Sequence, residues 1–108
     1  MELTYGRYLK VEELLQLQQP LSEGPEHDEM LFIIIHQVYE LWFKQILHEL
    51  EKLKSSFQEG ERGKALHTLK RIRSILKVLV SQVDVLETMT PLEFLSFRER
   101  LQSASGFQ

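Results

Sequence analysis

The stretch that decides the fold is Glu26-His27-Asp28-Glu29-Met30-Leu31-Phe32-Ile33-Ile34-Ile35-His36-Gln37-Val38-Tyr39-Glu40-Leu41-Trp42-Phe43-Lys44-Gln45-Ile46-Leu47-His48-Glu49-Leu50, continuing to Phe57. Wound as a helix it carries one apolar stripe at Leu31, Ile35, Val38, Trp42, Ile46, Leu50, Leu53 and Phe57. A second stripe, on another face, is Phe32, His36, Tyr39, Phe43 and Leu47. Only the third strip is polar: Gln37, Glu40, Lys44, His48, Glu51 and Ser55, with Glu40 four residues before Lys44 as a supporting pair. A helix apolar on two sides has to be sandwiched. The reading predicts a long helix from about 26 to about 57, partly covered by another subunit or by further sequence.

Working outward, Gly60 to Gly63 reads as a turn and 64 to 87 as a second long helix. Its expected seam is Ala65, Leu69, Ile72, Leu76, Leu79, Val83 and Leu86, spaced alternately four and three as an antiparallel bundle requires. Lys70, Arg71, Arg73 and Lys77 form its other face, either a solvated surface or an anion site. Thr90-Pro91-Leu92-Glu93 has the form of a helix start, with Thr90 as cap and Pro91 first, and a last helix follows to about Leu101. On the N-terminal side, residues 1–9 read as an aromatic arm, Lys10 to Gln19 as a short helix stopped by Pro20, and Leu21 to Pro25 as a loop. The fold class expected is therefore all-α: an antiparallel bundle with two long helices, a short N-terminal helix and a short C-terminal helix. The division expected is arm, short helix and loop over 1–25, and bundle over 26–108.

Composition narrows the functions. The chain has 108 residues, 43% hydrophobic and 27% charged, with 5 Gly and 3 Pro, the profile of one folded domain. Its net charge of −3 argues against nucleic acid, which calls for a basic excess. Without cysteine there is no disulfide, thiolate metal site or cysteine nucleophile, in keeping with a reducing cytosol. The start Met1-Glu2-Leu3-Thr4 shows no signal peptide, and the apolar run Met30 to Ile35 is too short for a membrane span. No Glu-x-x-His pair marks a di-iron bundle, and no two histidines stand three or four apart as a zincin needs. Phosphate-binding glycine loops and a Gly-x-Ser-x-Gly elbow are also missing.

Two residues remain as chemical candidates. His36 shares a helix face with Phe32, Tyr39 and Phe43. It is either a satisfied core histidine or a neutral imidazole that accepts a hydrogen bond or acts as a base. Arg98, in Phe97-Arg98-Glu99-Arg100, is either a solvated cation or a planar fork for a carboxylate. His48 and His67 fall on polar or mixed faces and read as surface residues.

Four blocks in order then carry a resemblance: Leu3-Thr4-Tyr5-Gly6-x-Tyr8-Leu9; Glu26 to Gln37 with Tyr39-Glu40-Leu41-Trp42-Phe43-Lys44; Val85-Leu86-Glu87-Thr88-Met89-Thr90-Pro91 with Phe97-Arg98; and Ser103-Ala104-Ser105-Gly106-Phe107-Gln108. The chain resembles the N-terminal part of the tryptophan 2,3-dioxygenases. That resemblance implies an all-helical, homotetrameric, cytoplasmic haem enzyme with no membrane or nucleic-acid partner. Its reaction inserts dioxygen across the indole C2–C3 bond of L-tryptophan to give N-formylkynurenine, opening the kynurenine route of tryptophan catabolism. By motif position it implies that His36 is the catalytic distal histidine, accepting the indole N–H. Phe32 lines the indole pocket and the haem, and Arg98 pairs with the substrate carboxylate. Ser105 and Gly106 lie over the haem edge, and Tyr5, Tyr8 and Leu9 reach into a neighbouring subunit's pocket. Phe94 stands where some relatives carry a tyrosine, so a hydroxyl contact to the carboxylate is lost. No residue matches the proximal haem ligand, which is expected in a later helix beyond residue 108. The chain alone is therefore expected to bind haem poorly and to be inactive. The contrasting expectation is a non-enzymatic oligomerising helical module, in which the doubly apolar helix seals against a partner.

Overall fold

In the computed structural model the described residues are 2–21 and 26–101. They form five helices: α1 (Tyr5–Leu9), α2 (Val11–Leu14), α3 (Asp28–Gln58), α4 (Arg62–Leu86) and α5 (Pro91–Leu101), and no strand is found among them. The all-α expectation, with two long helices packed together and short helices at both ends, is met.

The N-terminal reading is corrected. The arm is itself helical over Tyr5–Leu9, because Thr4 caps it: its Oγ1 accepts from the Arg7 N–H at 3.3 Å. Arg7 in turn donates from Nη1 to the Glu2 carbonyl at 3.0 Å. Lys10 then takes a left-handed conformation, φ 55°, and breaks the path. The expected helix over 10–19 is reduced to the single turn Val11–Leu14, which ends six residues before Pro20.

The chain divides into two compact units, one of residues 1–34 and 91–108, the other of residues 35–90. In the second, the body of α3 packs antiparallel on α4. The turn between them is set by Gly60, at φ 70°. Glu61 N–H reaches the Ser56 carbonyl at 2.8 Å and Gly60 N–H the Phe57 carbonyl at 3.2 Å. This is a Schellman closure, which needs a left-handed residue at Gly60, and a Cβ there costs about 1–2 kcal/mol in backbone strain. The closure fixes the register that the rest of the helix pair follows.

The seam of α4 differs from the sequence reading. Its buried residues are Ala65, Thr68, Ile72, Ile75 and Leu79, with Gln82 and Leu86 half-buried. Ala65, Ile72 and Leu79 fall as expected, whereas Leu69, Leu76 and Val83 are exposed and Thr68 and Ile75 take their places. Both sets obey alternating three- and four-residue spacing, so periodicity alone did not choose between two adjacent apolar stripes. The seam tolerates Thr68 because its hydroxyl donates back to the Lys64 carbonyl at 3.1 Å.

On α3 only Phe32 and Ile35 among the apolar residues are fully buried. Leu41, Phe43, Leu47, Leu50 and Phe57 are exposed, Leu47 by 64%. The second apolar side anticipated from the sequence thus lies open. The other unit has an aromatic centre instead. Phe97, 1% exposed, stands edge-on to Phe32 at 5.7 Å and to Phe94 at 5.5 Å, while Phe32 and Phe94 lie 5.6 Å apart. Offset and edge-on pairs at such spacing suit the ring quadrupoles. Leu101 closes the same core. No helix among the described residues is long and apolar enough to cross a membrane.

Candidate functional site

The candidate residues are held by three helices. In the first unit, α3 supplies Phe32 in its second turn and α5 supplies Phe94 and Arg98, one turn apart. Phe32 is buried, Phe94 half-buried and Arg98 exposed. The Phe32–Phe94 ring pair, tilted by 31°, brings together two of the residues singled out from the sequence. Arg98 presents its guanidinium at the surface.

Among the acidic groups of the same unit are Asp28, Glu29 and Glu93. Glu29, only 1% exposed, accepts from the Leu21 N–H at 2.7 Å, so the chain before α3 is tied to the helix's first turn. Asp28 shares a hydrogen bond with the Glu93 carboxyl. That bond, with partial desolvation and the Glu93 charge, raises the Asp28 carboxyl above its ordinary range, and His27 opposes the rise weakly.

Tyr5, Tyr8 and Leu9 are exposed, the two tyrosines by 80% and 71%. Their burial on this chain alone is therefore small, and the α1 helix presents both rings to solvent. Ser105 and Gly106 lie outside the described residues.

In the second unit, His36 is half-buried. Of the aromatic face read around it, Tyr39 and Phe43 are stacked at 6.1 Å and 22°. Tyr39 is not free to meet a ligand through its hydroxyl, which donates to the Leu79 carbonyl at 2.9 Å. A hollow of about 340 Å³ opens elsewhere on α3, lined by Val38, Leu41, Trp42 and Gln45, and includes none of the candidate residues. His48 and His67 are exposed, as read, and so are Lys70, Arg71, Arg73 and Lys77. Arg71 is partly spoken for, since Nη1 lies 3.5 Å from the buried Glu49 carboxylate. No cluster of three or more His, Asp or Glu fit to hold a metal ion occurs among the described residues.

Sequence reasoning passed over several groups that are shut off from water. Phe97 carries the aromatic centre, and its spacing with Phe94 and Leu101 at three and four would have shown it. Glu29, Glu49 and Gln82 gave no signal, because a polar residue looks the same whether it faces water or a partner.

Comparison with known proteins settles the family. The chain matches the family of tryptophan 2,3-dioxygenase over residues 1–108. The chain belongs to the tryptophan 2,3-dioxygenase family. It is 63% identical over 106 residues to the tryptophan 2,3-dioxygenase of Herpetosiphon aurantiacus, covering 98% of this chain and 41% of that protein. The tryptophan 2,3-dioxygenase of Anaeromyxobacter sp. (strain K) is also 63% identical over 106 residues, covering 98% of this chain and 39% of the relative. That of Aedes aegypti is 50% identical over 114 residues, covering 98% and 29%. The chain thus spans about two fifths of the length of these two bacterial tryptophan 2,3-dioxygenases.

Proposed function

We propose that this chain forms the substrate-orienting part of a haem enzyme that adds dioxygen across the indole C2–C3 bond of L-tryptophan, giving N-formylkynurenine. The observation that carries the reading is the family match over residues 1–108; Phe32, His36 and Arg98 are the site residues we propose from the sequence. In this reading the enzyme is a cytoplasmic homotetramer of the kynurenine route, with no membrane or nucleic-acid partner.

The donor set suits one side of a haem. His36 is half-buried and Phe32 is buried, four residues apart in the sequence of α3, and in this reading they supply an imidazole and a ring to the pocket, while His27, His48 and His67 are exposed. No residue here is assigned as the iron's proximal ligand; Ser105, Gly106 and Phe32 are the proposed haem contacts. When bound, the haem supplies the dioxygen chemistry.

The chain's own residues orient the substrate. Arg98 grips the carboxylate through its planar fork, with two charge-assisted hydrogen bonds. Phe32 sets the plane of the indole. His36 accepts the indole N–H on an unprotonated ring nitrogen and so fixes the rotation of the ring. Holding the reacting bond in one orientation removes entropy from the barrier in advance. Tyr5, Tyr8 and Leu9, exposed here, complete the pocket of a neighbouring subunit; exposure of both tyrosine rings supports this role.

The test uses the protein at its relatives' length, loaded with haem. Arg98→Ala is expected to raise KM for L-tryptophan at least about tenfold, the loss of a charged hydrogen bond. His36→Ala is expected to lower kcat/KM without abolishing turnover. Failure of the haem-loaded parent to consume tryptophan and dioxygen together would sink the reading. The open apolar sides of α3 and α4, with Val80 exposed by 72%, favour a second role in which this chain also binds further copies of itself.

A further inference from the structure

Phe97 is 1% exposed and ranks with the largest side chains wholly shut off from water. Its ring stands edge-on to Phe32 of α3 at 5.7 Å and 68°, and edge-on to Phe94 of its own helix at 5.5 Å and 87°. Phe32 and Phe94 close the triangle at 5.6 Å and 31°. All three belong to the unit of residues 1–34 and 91–108.

A triangle of rings constrains more than a pair does. One ring contact between α3 and α5 would fix a distance and leave α5 able to roll about its own axis. Phe94 and Phe97 are three residues apart, about 4.5 Å along the helix, so α5 meets Phe32 at two levels. Rolling α5 in either direction draws one of the two rings away. The steep setting of Phe97 also opposes rotation of the Phe32 ring, because a turning ring sweeps through space that its packed neighbours fill.

Arg98 follows Phe97 directly in the same helix, with its Cα about 3.8 Å away. Its guanidinium is exposed while the preceding side chain is buried, so the root of the arginine is anchored through Phe97. In the dioxygenase reading Arg98 takes the substrate carboxylate and Phe32 sets the indole plane. Tryptophan joins those two groups through a short CH–CH2 link. The separation of α5 from the Phe32 ring therefore acts as a ruler, and an error of about 1 Å in such a placement costs about a hundredfold in rate.

We propose that Phe97 is a positioning and specificity-determining residue: its ring, wedged against Phe32 and Phe94, holds the plane of Phe32 and fixes the reach from that ring to Arg98, so the site measures the length of chain between indole and carboxylate. The wedge is packing seen in the structure; its purpose rests on the dioxygenase reading above.

Phe97→Met separates the wedge from mere filling, because methionine fills an apolar gap but is flexible and has no plane. The first measurement needs neither haem nor substrate: nuclear magnetic resonance of the chain with its phenylalanine rings labelled with 13C. The expected result is separate signals for the two sides of the Phe32 ring in the parent, and exchange between them about tenfold faster in Phe97→Met. Averaged Phe32 signals in the parent, or unchanged exchange in a folded Phe97→Met chain, overturns the proposal. Phe97→Leu replaces a Phe97→Met chain that does not fold, and if neither folds the parent spectrum decides.

The second measurement, at the relatives' length and loaded with haem, compares kcat/KM for L-tryptophan with that for L-homotryptophan, which is longer by one methylene. The parent is expected to prefer tryptophan at least about tenfold, and Phe97→Met to bring the two values toward equality. A merely structural loss lowers both values together and leaves their ratio unchanged; that result, or a parent that takes both substrates equally, overturns the ruler. A haem-loaded parent that consumes no tryptophan removes the dioxygenase purpose, while the ring exchange, read without haem, still decides whether Phe97 holds Phe32.

Discussion

The Tyr39 hydroxyl donates to the carbonyl oxygen of Leu79 at 2.9 Å, across the seam between α3 and α4. The carbonyl belongs to the backbone of a regular helix, so the phenol adds a second donor to an oxygen with two lone pairs. Tyr39→Phe removes that donor while leaving the ring to stack on Phe43. We expect a loss of about 0.5–1.5 kcal/mol in urea unfolding, with an unchanged m-value. A variant as stable as the parent would show that the bond contributes nothing net.

Much of the fold was readable because helical period, sparse glycine and the Thr90-Pro91 start are local signals. The boundaries of α3, α4 and α5 fall within two residues of those read from the sequence. The α4 seam was not readable in the same way. Leu69 and Leu76 are as apolar as Ile72 and Ile75, and the choice between neighbouring stripes is made by the partner helix. The N-terminal break was hidden too, because Lys10 adopts a left-handed conformation that no lysine advertises. Among the candidate residues, Phe32 and Phe94 were named through the resemblance, and their ring pairing was not readable from spacing, because two residues so far apart in sequence meet only through the tertiary fold.

Glu49 is buried with its Oε2 2.6 Å from the Gln45 amide and 3.5 Å from Arg71, which itself stays half in water. Removing the cation alone leaves a buried carboxylate with one neutral donor, whereas removing the carboxylate frees Arg71 to solvent. We therefore expect Arg71→Leu to cost about 1 kcal/mol and Glu49→Leu to cost less or nothing. Paired denaturation curves for the two single variants and the double variant measure the coupling. A Glu49→Leu loss larger than that of Arg71→Leu would contradict this ordering.

The shared hydrogen bond between Asp28 and Glu93 has a definite pH signature. The Asp28 carboxyl is held above its ordinary value in the folded chain, so folding favours its protonated form. The resulting stability is fully present below the unfolded value and is lost as pH rises through the raised folded value. At neutral pH the two carboxylates repel. Glu93→Gln supplies an amide donor instead, so it should melt higher than the parent at about pH 7, with the advantage shrinking toward about pH 3.5. Thermal melts at both pH values give the comparison; an advantage that does not change with pH would remove Asp28 as its cause.

Phe94 and Arg98 stand one turn apart on α5, on one face of that helix. Phe94 is half-buried against Phe32 and Phe97, so its ring edge has room for a hydroxyl without opening the aromatic centre. Phe94→Tyr should change stability by less than about 1 kcal/mol, since the ring is retained and a partly exposed phenol can be hydrated. If Arg98 receives the tryptophan carboxylate, the new hydroxyl lies on the same side and can donate to it. A bond of that kind acts equally on bound substrate and transition state, because the carboxylate takes no part in the oxygen chemistry. The expected kinetics at the relatives' length are therefore a several-fold lower KM for L-tryptophan and an unchanged kcat. Tryptamine, which has no carboxylate, supplies the control: its kinetics should not respond to the substitution. A gain for tryptamine equal to that for tryptophan would mean that the hydroxyl acts through packing of the ring and not through the carboxylate.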